Sequence, residues 1–230
     1  MRDSLRGLAL DDQMGIQRNI TKVKQPILKR PRLFDVLDNA CLTPLTWINA
    51  PAGSGKSTLV SNYLETRNLA NLWYNCSEED NDLVTFFHYL GSFHNQRYPL
   101  QKGKLPRLQS KQQLTVTTFG DVFFHKLFST LPTPSILVFD DFHCIDTNSQ
   151  LHIILRNTLA YLPNGLSIFI ISRNLPPTTY ARLRVDHIIA EVASKEIMFT
   201  RQETEDFVRL MIPNSQLEKD QLEIGCNTKK

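Results

Sequence analysis

The chain has 230 residues, with 26 Lys and Arg against 23 Asp and Glu and a formal charge of +3. That length holds one full α/β domain plus a small appendage rather than two large domains, and so small a charge gives no net electrostatic reason to expect nucleic acid as a partner. With 41% hydrophobic and 21% charged residues the composition is that of a chain that buries a core, and no run of about 18 apolar residues exists to cross a bilayer.

Residues 1–20 lack periodicity and read as a loose leader. No apolar stretch of signal-peptide type follows Met1, so the expected compartment is the cytoplasm. Lys22, Lys24, Lys29, Arg30 and Arg32 make Thr21 to Arg32 a basic strand that leads into a short helix through Leu33, Val36, Leu37 and Ala40. Leu45 to Asn49 predicts a strand, and Ser57, Leu59, Val60, Tyr63 and Leu64 an amphipathic helix. A second strand is expected over Leu72 to Cys76 and a helix over Asp82 to Phe93. Pro99, Gly103 and Pro106 mark Asn95 to Gln113 as an exposed connection. A helix over Phe119 to Leu131 stops at Pro132 and Pro134, ahead of the strand Ile136 to Phe139. Leu151 to Leu162 reads as a helix and Leu166 to Ile171 as another strand. Strands that do not alternate are covered on both faces, which points to a parallel sheet. Thr200-Arg201-Gln202-Glu203 has capping-box spacing before Phe207, Leu210 and Met211, so a helical appendage begins there. The expected division is 1–20 leader, 21–199 nucleotide-binding domain of three α/β/α layers, and 200–230 the start of a helical subdomain.

The strongest chemical signal is Ala50-Pro51-Ala52-Gly53-Ser54-Gly55-Lys56-Ser57, followed by Thr58, between a predicted strand and a predicted helix as a P-loop requires. Glycines let backbone N–H groups turn toward phosphate oxygens, Lys56 supplies a point charge, and the Ser57 hydroxyl is a magnesium ligand. The motif wants glycine where Ala50 stands. Ile136-Leu137-Val138-Phe139-Asp140-Asp141 delivers two carboxylates to the carboxyl edge of the sheet. Asp140 is assigned to Mg2+. Asp141 is a candidate general base for the attacking water, although neighbours on a strand diverge and the following turn decides where it points. Arg173, at the end of the next strand, is expected on the same edge as a γ-phosphate sensor, the alternative being a surface arginine. Cys41, Cys76, Cys144 and Cys226 form no C-x-x-C pair and read as reduced thiols, and His143 with Cys144 lacks a second pair at metal-ligand spacing. Phe86, Phe87, Tyr89 and Phe93 read as helix packing rather than a base-stacking platform.

These motifs, taken in order, resemble the N-terminal ATPase domain of the MalT-like, large LuxR-type transcriptional activators, which belong to the signal-transducing STAND class of P-loop NTPases. The resemblance runs from Thr21 to Met211. It rests on Arg30-Pro31-Arg32-Leu33, the P-loop, Trp73-Tyr74 with Glu79-Asp80-Asn81-Asp82, Val138 to His143, Ser172 to Pro176, Ala181 to Val185 and Phe199-Thr200. The family accepts alanine at the position of Ala50. The resemblance implies a switch in which ADP holds the regulator inactive, ATP and an inducer permit self-association, and slow hydrolysis resets it. It also implies a place near the nucleotide base for Arg30 and Pro31, and contact with DNA only through a C-terminal helix-turn-helix that this sequence does not contain. The chain then reads as a truncated or excised domain. A freestanding AAA-like ATPase and a non-functional remnant stand as alternatives.

Overall fold

A computed structural model describes residues 28–108 and 115–211. Helix α1 (Pro31–Ala40) starts with proline in its first turn, where a missing N–H costs nothing. Strand β1 (Leu45–Asn49) is followed by the P-loop and α2 (Lys56–Thr66). Strand β2 (Ala70–Asn75) and a tight turn lead to α3 (Leu83–Arg97), capped by Asp82. After the 98–108 connection come α4 (Val116–Phe128), β3 (Ser135–Asp140), α5 (Gln150–Thr158) and β4 (Leu166–Ser172). The short α6 (Ala181–Val185), β5 (Ile189–Val192), α7 (Ser194–Ile197) and α8 (Arg201–Met211) complete the described chain.

All five strands are parallel, in the order β2-β3-β4-β1-β5. Successive strand residues feed opposite faces, and both faces are buried. Ile48, Ile136, Val138, Phe169 and Ile171 pack with Leu33, Leu37, Val60 and Tyr63 from α1 and α2. Trp47, Leu137, Phe139, Ile168 and Ile170 pack on the other side with Phe86, Phe87, Phe123, Phe124 and Ile154 from α3, α4 and α5. Sheet faces covered on both sides have no reason to alternate polar with apolar, which is why the strands appear in the sequence as unbroken apolar runs. The architecture is the three-layer α/β/α sandwich that those runs imply.

Boundaries moved where capping outweighed periodicity. The α4 helix begins three residues earlier than its apolar pattern, because the Thr115 hydroxyl accepts from the Thr118 N–H at 3.2 Å. The α3 helix continues to Arg97, so Asn95 to Arg97 are helical rather than connecting, and Leu105 in the following segment is buried in the core. The basic strand expected over Thr21 to Arg32 lies mostly outside the described residues, and its end, 28–30, is irregular chain leading into α1. Phe86, Phe87 and Phe93 are buried core residues, as their helical spacing implies. β5 has no counterpart in the sequence reading. It is a four-residue edge strand interrupted by Glu191, too short to show as an apolar run.

Candidate functional site

The P-loop leaves the carboxyl end of β1 and turns into α2. Gly53 and Gly55 carry φ of 75° and 79°, the left-handed region where a side chain is strained, and an added Cβ at either would meet nothing within 4 Å. The glycines are thus required by backbone conformation and leave open space over the loop. Ala50 is outside that region. It is buried in the core, and its N–H donates to the Ser172 carbonyl at 3.3 Å, so the departure from glycine costs nothing here. Pro51, Ala52 and Gly53 are exposed, and Thr58 is exposed in the first turn of α2. The Lys56 ammonium curls back over the loop, donating to the carbonyls of Ala50 at 2.7 Å and Pro51 at 2.9 Å, with the Ser54 hydroxyl at 3.4 Å. At the α2 N-terminus the unpaired N–H groups and the helix dipole favour an anion.

Asp140 ends β3, and its Oδ1 accepts from the Ser57 hydroxyl at 3.0 Å. Residues 83 positions apart in sequence thus place two hard oxygen donors side by side, the donor chemistry that suits Mg2+. Two buried polar atoms at this edge, Asn49 Oδ1 and His143 Nδ1, make no hydrogen bond to the described protein. Asp141 takes the left-handed conformation (φ 51°, ψ 32°) and donates its N–H to Asp140 Oδ1 at 2.9 Å. Its carboxylate turns out of the strand, mostly exposed, 3.8 Å from His143 Nδ1. A non-glycine residue held in that conformation is the local strain that gathers at functional sites.

β4 lies between β1 and β3 in the sheet, so Arg173, the first residue beyond it, emerges between the P-loop and Asp140. The electrostatics record this grouping. Burial pushes the Lys56 ammonium below its ordinary pKa, with Arg173 adding to the shift while Asp140 and Asp141 oppose it. Burial raises the Asp140 carboxyl, against the hydrogen bonds from Ser57 and the Asp141 N–H. Burial and then Arg173 lower the His143 imidazole. The arginine's charge is therefore felt by both the loop lysine and the turn after β3.

Arg30 and Pro31 have another setting. Pro31 is exposed at the start of α1, whereas the Arg30 guanidinium is buried and donates to the carbonyls of Ile197 at 2.6 Å and Met198 at 2.9 Å and to Glu203 at 3.1 Å. Its Nη2 donors serve α7 and α8. The positioning residues that sequence reasoning missed are of the same long-range kind. Asn81 donates to the Cys144 carbonyl at 3.0 Å and accepts from the Asp146 N–H at 2.8 Å, bracing the turn that carries Asp141 and His143. Trp47 Nε1 donates to the Asn174 carbonyl at 2.9 Å and anchors the loop that carries Arg173. No local pattern signals either contact.

A parallel sheet with a P-loop after β1, a carboxylate at the end of β3 beside the P-loop serine, and helices on both faces defines an α/β P-loop NTPase fold. The Nephrocystin 3, N-terminal family matches residues 23–173, and the chain belongs to that family. Its homologues include MalT transcriptional regulators. It is 30% identical over 180 residues to the HTH-type transcriptional regulator MalT of Vibrio parahaemolyticus, covering 77% of this chain and 20% of that protein. It is 32% identical over 194 residues to MalT of Cronobacter sakazakii, covering 81% and 21%. The chain thus spans about a fifth of the length of the curated relatives it matches. Among solved structures it resembles a Signal Transduction ATPase with Numerous Domains (STAND) protein with a tetratricopeptide repeat sensor from Pyrococcus horikoshii. The TM-score is 0.59 at 18% identity, over 86% of this chain and 28% of that one, a likeness of fold.

Proposed function

We propose that this chain is the ATP-binding switch domain of a MalT-like transcriptional activator, binding ATP or ADP with Mg2+ and hydrolysing ATP slowly. The observation that carries the reading is the meeting of the P-loop with Asp140. Two left-handed glycines open the cradle, Lys56 stands over it, and Ser57 is 3.0 Å from the Asp140 carboxylate. In this reading the P-loop N–H groups from Gly53 to Thr58 and Lys56 hold the phosphates. Ser57 and Asp140 are the residues that would hold Mg2+, which when bound neutralises phosphate charge. In the same reading Asp141 takes a proton from the attacking water and Arg173 meets the γ-phosphate. The MalT relatives supply the regulatory context, and self-association and DNA reading belong to a full-length regulator of that kind. Residues 21–199 are the proposed nucleotide-binding domain, with a helical subdomain starting at residue 200.

Calorimetric titration of the purified chain with ATP and with ADP, each with and without magnesium, tests the reading. Saturable binding of both nucleotides is expected, tighter with magnesium. A folded chain that binds neither would overturn it.

A further inference from the structure

From Leu83 to Gly120 the sequence contains no Asp or Glu, although the whole chain holds 23 in 230 residues; the same stretch carries Arg97, Lys102, Lys104, Arg107 and Lys111. Among its described residues, members of 84–95 and of 105–108 line one concave surface. Phe87, Ser92 and Asn95 of α3 form one wall of a groove of about 460 Å3, and Leu105, Pro106 and Arg107 form the other. The Gly103 N–H donates to Asn95 Oδ1 at 3.2 Å, which fastens the turn bearing Lys102 and Lys104 to the α3 wall. Both lysines are exposed, and among the described residues no carboxylate forms an ion pair with Arg97, Lys102 or Lys104. Of the two carboxylates that flank the stretch, Asp82 is engaged in capping α3 through the Thr85 N–H at 3.0 Å and the Thr85 hydroxyl at 2.6 Å, and Asp121 accepts from the Tyr161 hydroxyl at 3.2 Å. Among the described residues, none that lines the groove is acidic.

We propose that this groove docks an acidic peptide segment of a partner protein. An apolar side chain of the peptide rests against Val84, Pro106 and Leu108, groove-lining apolar residues that keep exposed surface, and its carboxylates face Lys102 and Lys104. Charge complementarity chooses the sign of the partner, and the apolar wall chooses its kind. A nucleic-acid strand would be tracked by positive charge spread along a surface with faces for its bases, whereas here Arg107 lines the groove and Lys102 and Lys104 sit on the one turn that Gly103 fastens to its Asn95 wall. The site uses no P-loop residue, so it stands apart from the nucleotide reading.

Fluorescence anisotropy on the full chain tests it, using a labelled twelve-residue peptide of alternating Glu and Leu. The controls are the same peptide with Gln for Glu and a single-stranded oligothymidylate of equal charge. The Glu peptide is expected to bind at least tenfold more tightly than either control, to weaken as salt rises, and to lose at least tenfold in a Lys102→Glu/Lys104→Glu variant whose thermal melt is unchanged. Equal affinity for the Gln peptide, or an unaffected double variant, would overturn the proposal. So would the absence of saturable binding, and tighter binding of the oligonucleotide would give the groove to nucleic acid instead.

Discussion

Lys56 holds its ammonium on two neutral carbonyls, so engaging a phosphate exchanges these for charged acceptors. Hydrogen bonds of that charged kind are worth about 1.5–3 kcal/mol. Lys56→Ala is therefore expected to weaken ATP about 10–100-fold by calorimetry without moving the melt, and equal affinity would refute the assignment. Asp140→Asn keeps an acceptor for the Ser57 hydroxyl but removes the charge a dication needs. Its expected signature is nucleotide binding that no longer tightens when magnesium is added. The cradle was legible at this scale because Gly, Lys and Ser act through local backbone geometry, and their spacing carries that geometry. Asp141 was not. Its direction depends on a left-handed residue at the strand end, which the sequence Asp140-Asp141 leaves undetermined.

Among the elements, α8 shows how a local signal acquires a distant use. Thr200 and Glu203 form the capping box their spacing announces: Thr200 N–H donates to Glu203 at 2.9 Å and Glu203 N–H to the Thr200 hydroxyl at 3.2 Å. Arg30 and Arg32 then both reach the same carboxylate, at 3.1 and 2.9 Å, and clasp α8 to the start of α1. Burial alone would raise the Glu203 pKa, but hydrogen bonds from Arg32 and Arg30 outweigh it and hold it at about 2, below the ordinary 4.5. A depressed carboxylate pKa stabilises the fold fully above about pH 4.5, and that contribution drains away as pH falls toward 2. Hydrogen-exchange protection of 201–211 is expected to fall between about pH 4.5 and pH 2, and Glu203→Gln to show the loss already at pH 7. Unchanged protection in the variant would mean the clasp is incidental. The α4 and α5 helices make a sharper case. A Cβ at Gly120 would stand 2.6 Å from Ile154 Cγ2, in a fully buried contact. Gly120→Ala is expected to cost about 1–3 kcal/mol in a thermal melt, and adding Ile154→Ala should cost less than the two changes separately.

For the whole molecule, a switch and a motor differ in turnover. The switch reading expects steady-state ATP hydrolysis far below the roughly 1–100 s⁻¹ of a kinase. Sustained turnover in that range in a phosphate-release assay would favour the freestanding ATPase. The layered fold was legible because unbroken apolar strands such as Ile136 to Phe139 require cover on both faces, and because the strand–loop–helix order around Lys56 leaves few topologies. β5 stayed hidden because four residues with a central Glu191 make no pattern.

By itself, the sequence determined the class of fold, the P-loop and the carboxylate strand, since these rest on backbone conformation and on burial period, both properties of neighbouring residues. Only the tertiary structure decided that β4 lies between β1 and β3 and brings Arg173 out between the P-loop and Asp140. It alone decided that Arg30 Nη2 donates to Glu203, Ile197 and Met198, and that residues of α3 and of 105–108 share one groove. Each of these joins residues through space, and a contact between distant positions leaves no mark on the local spacing of either one.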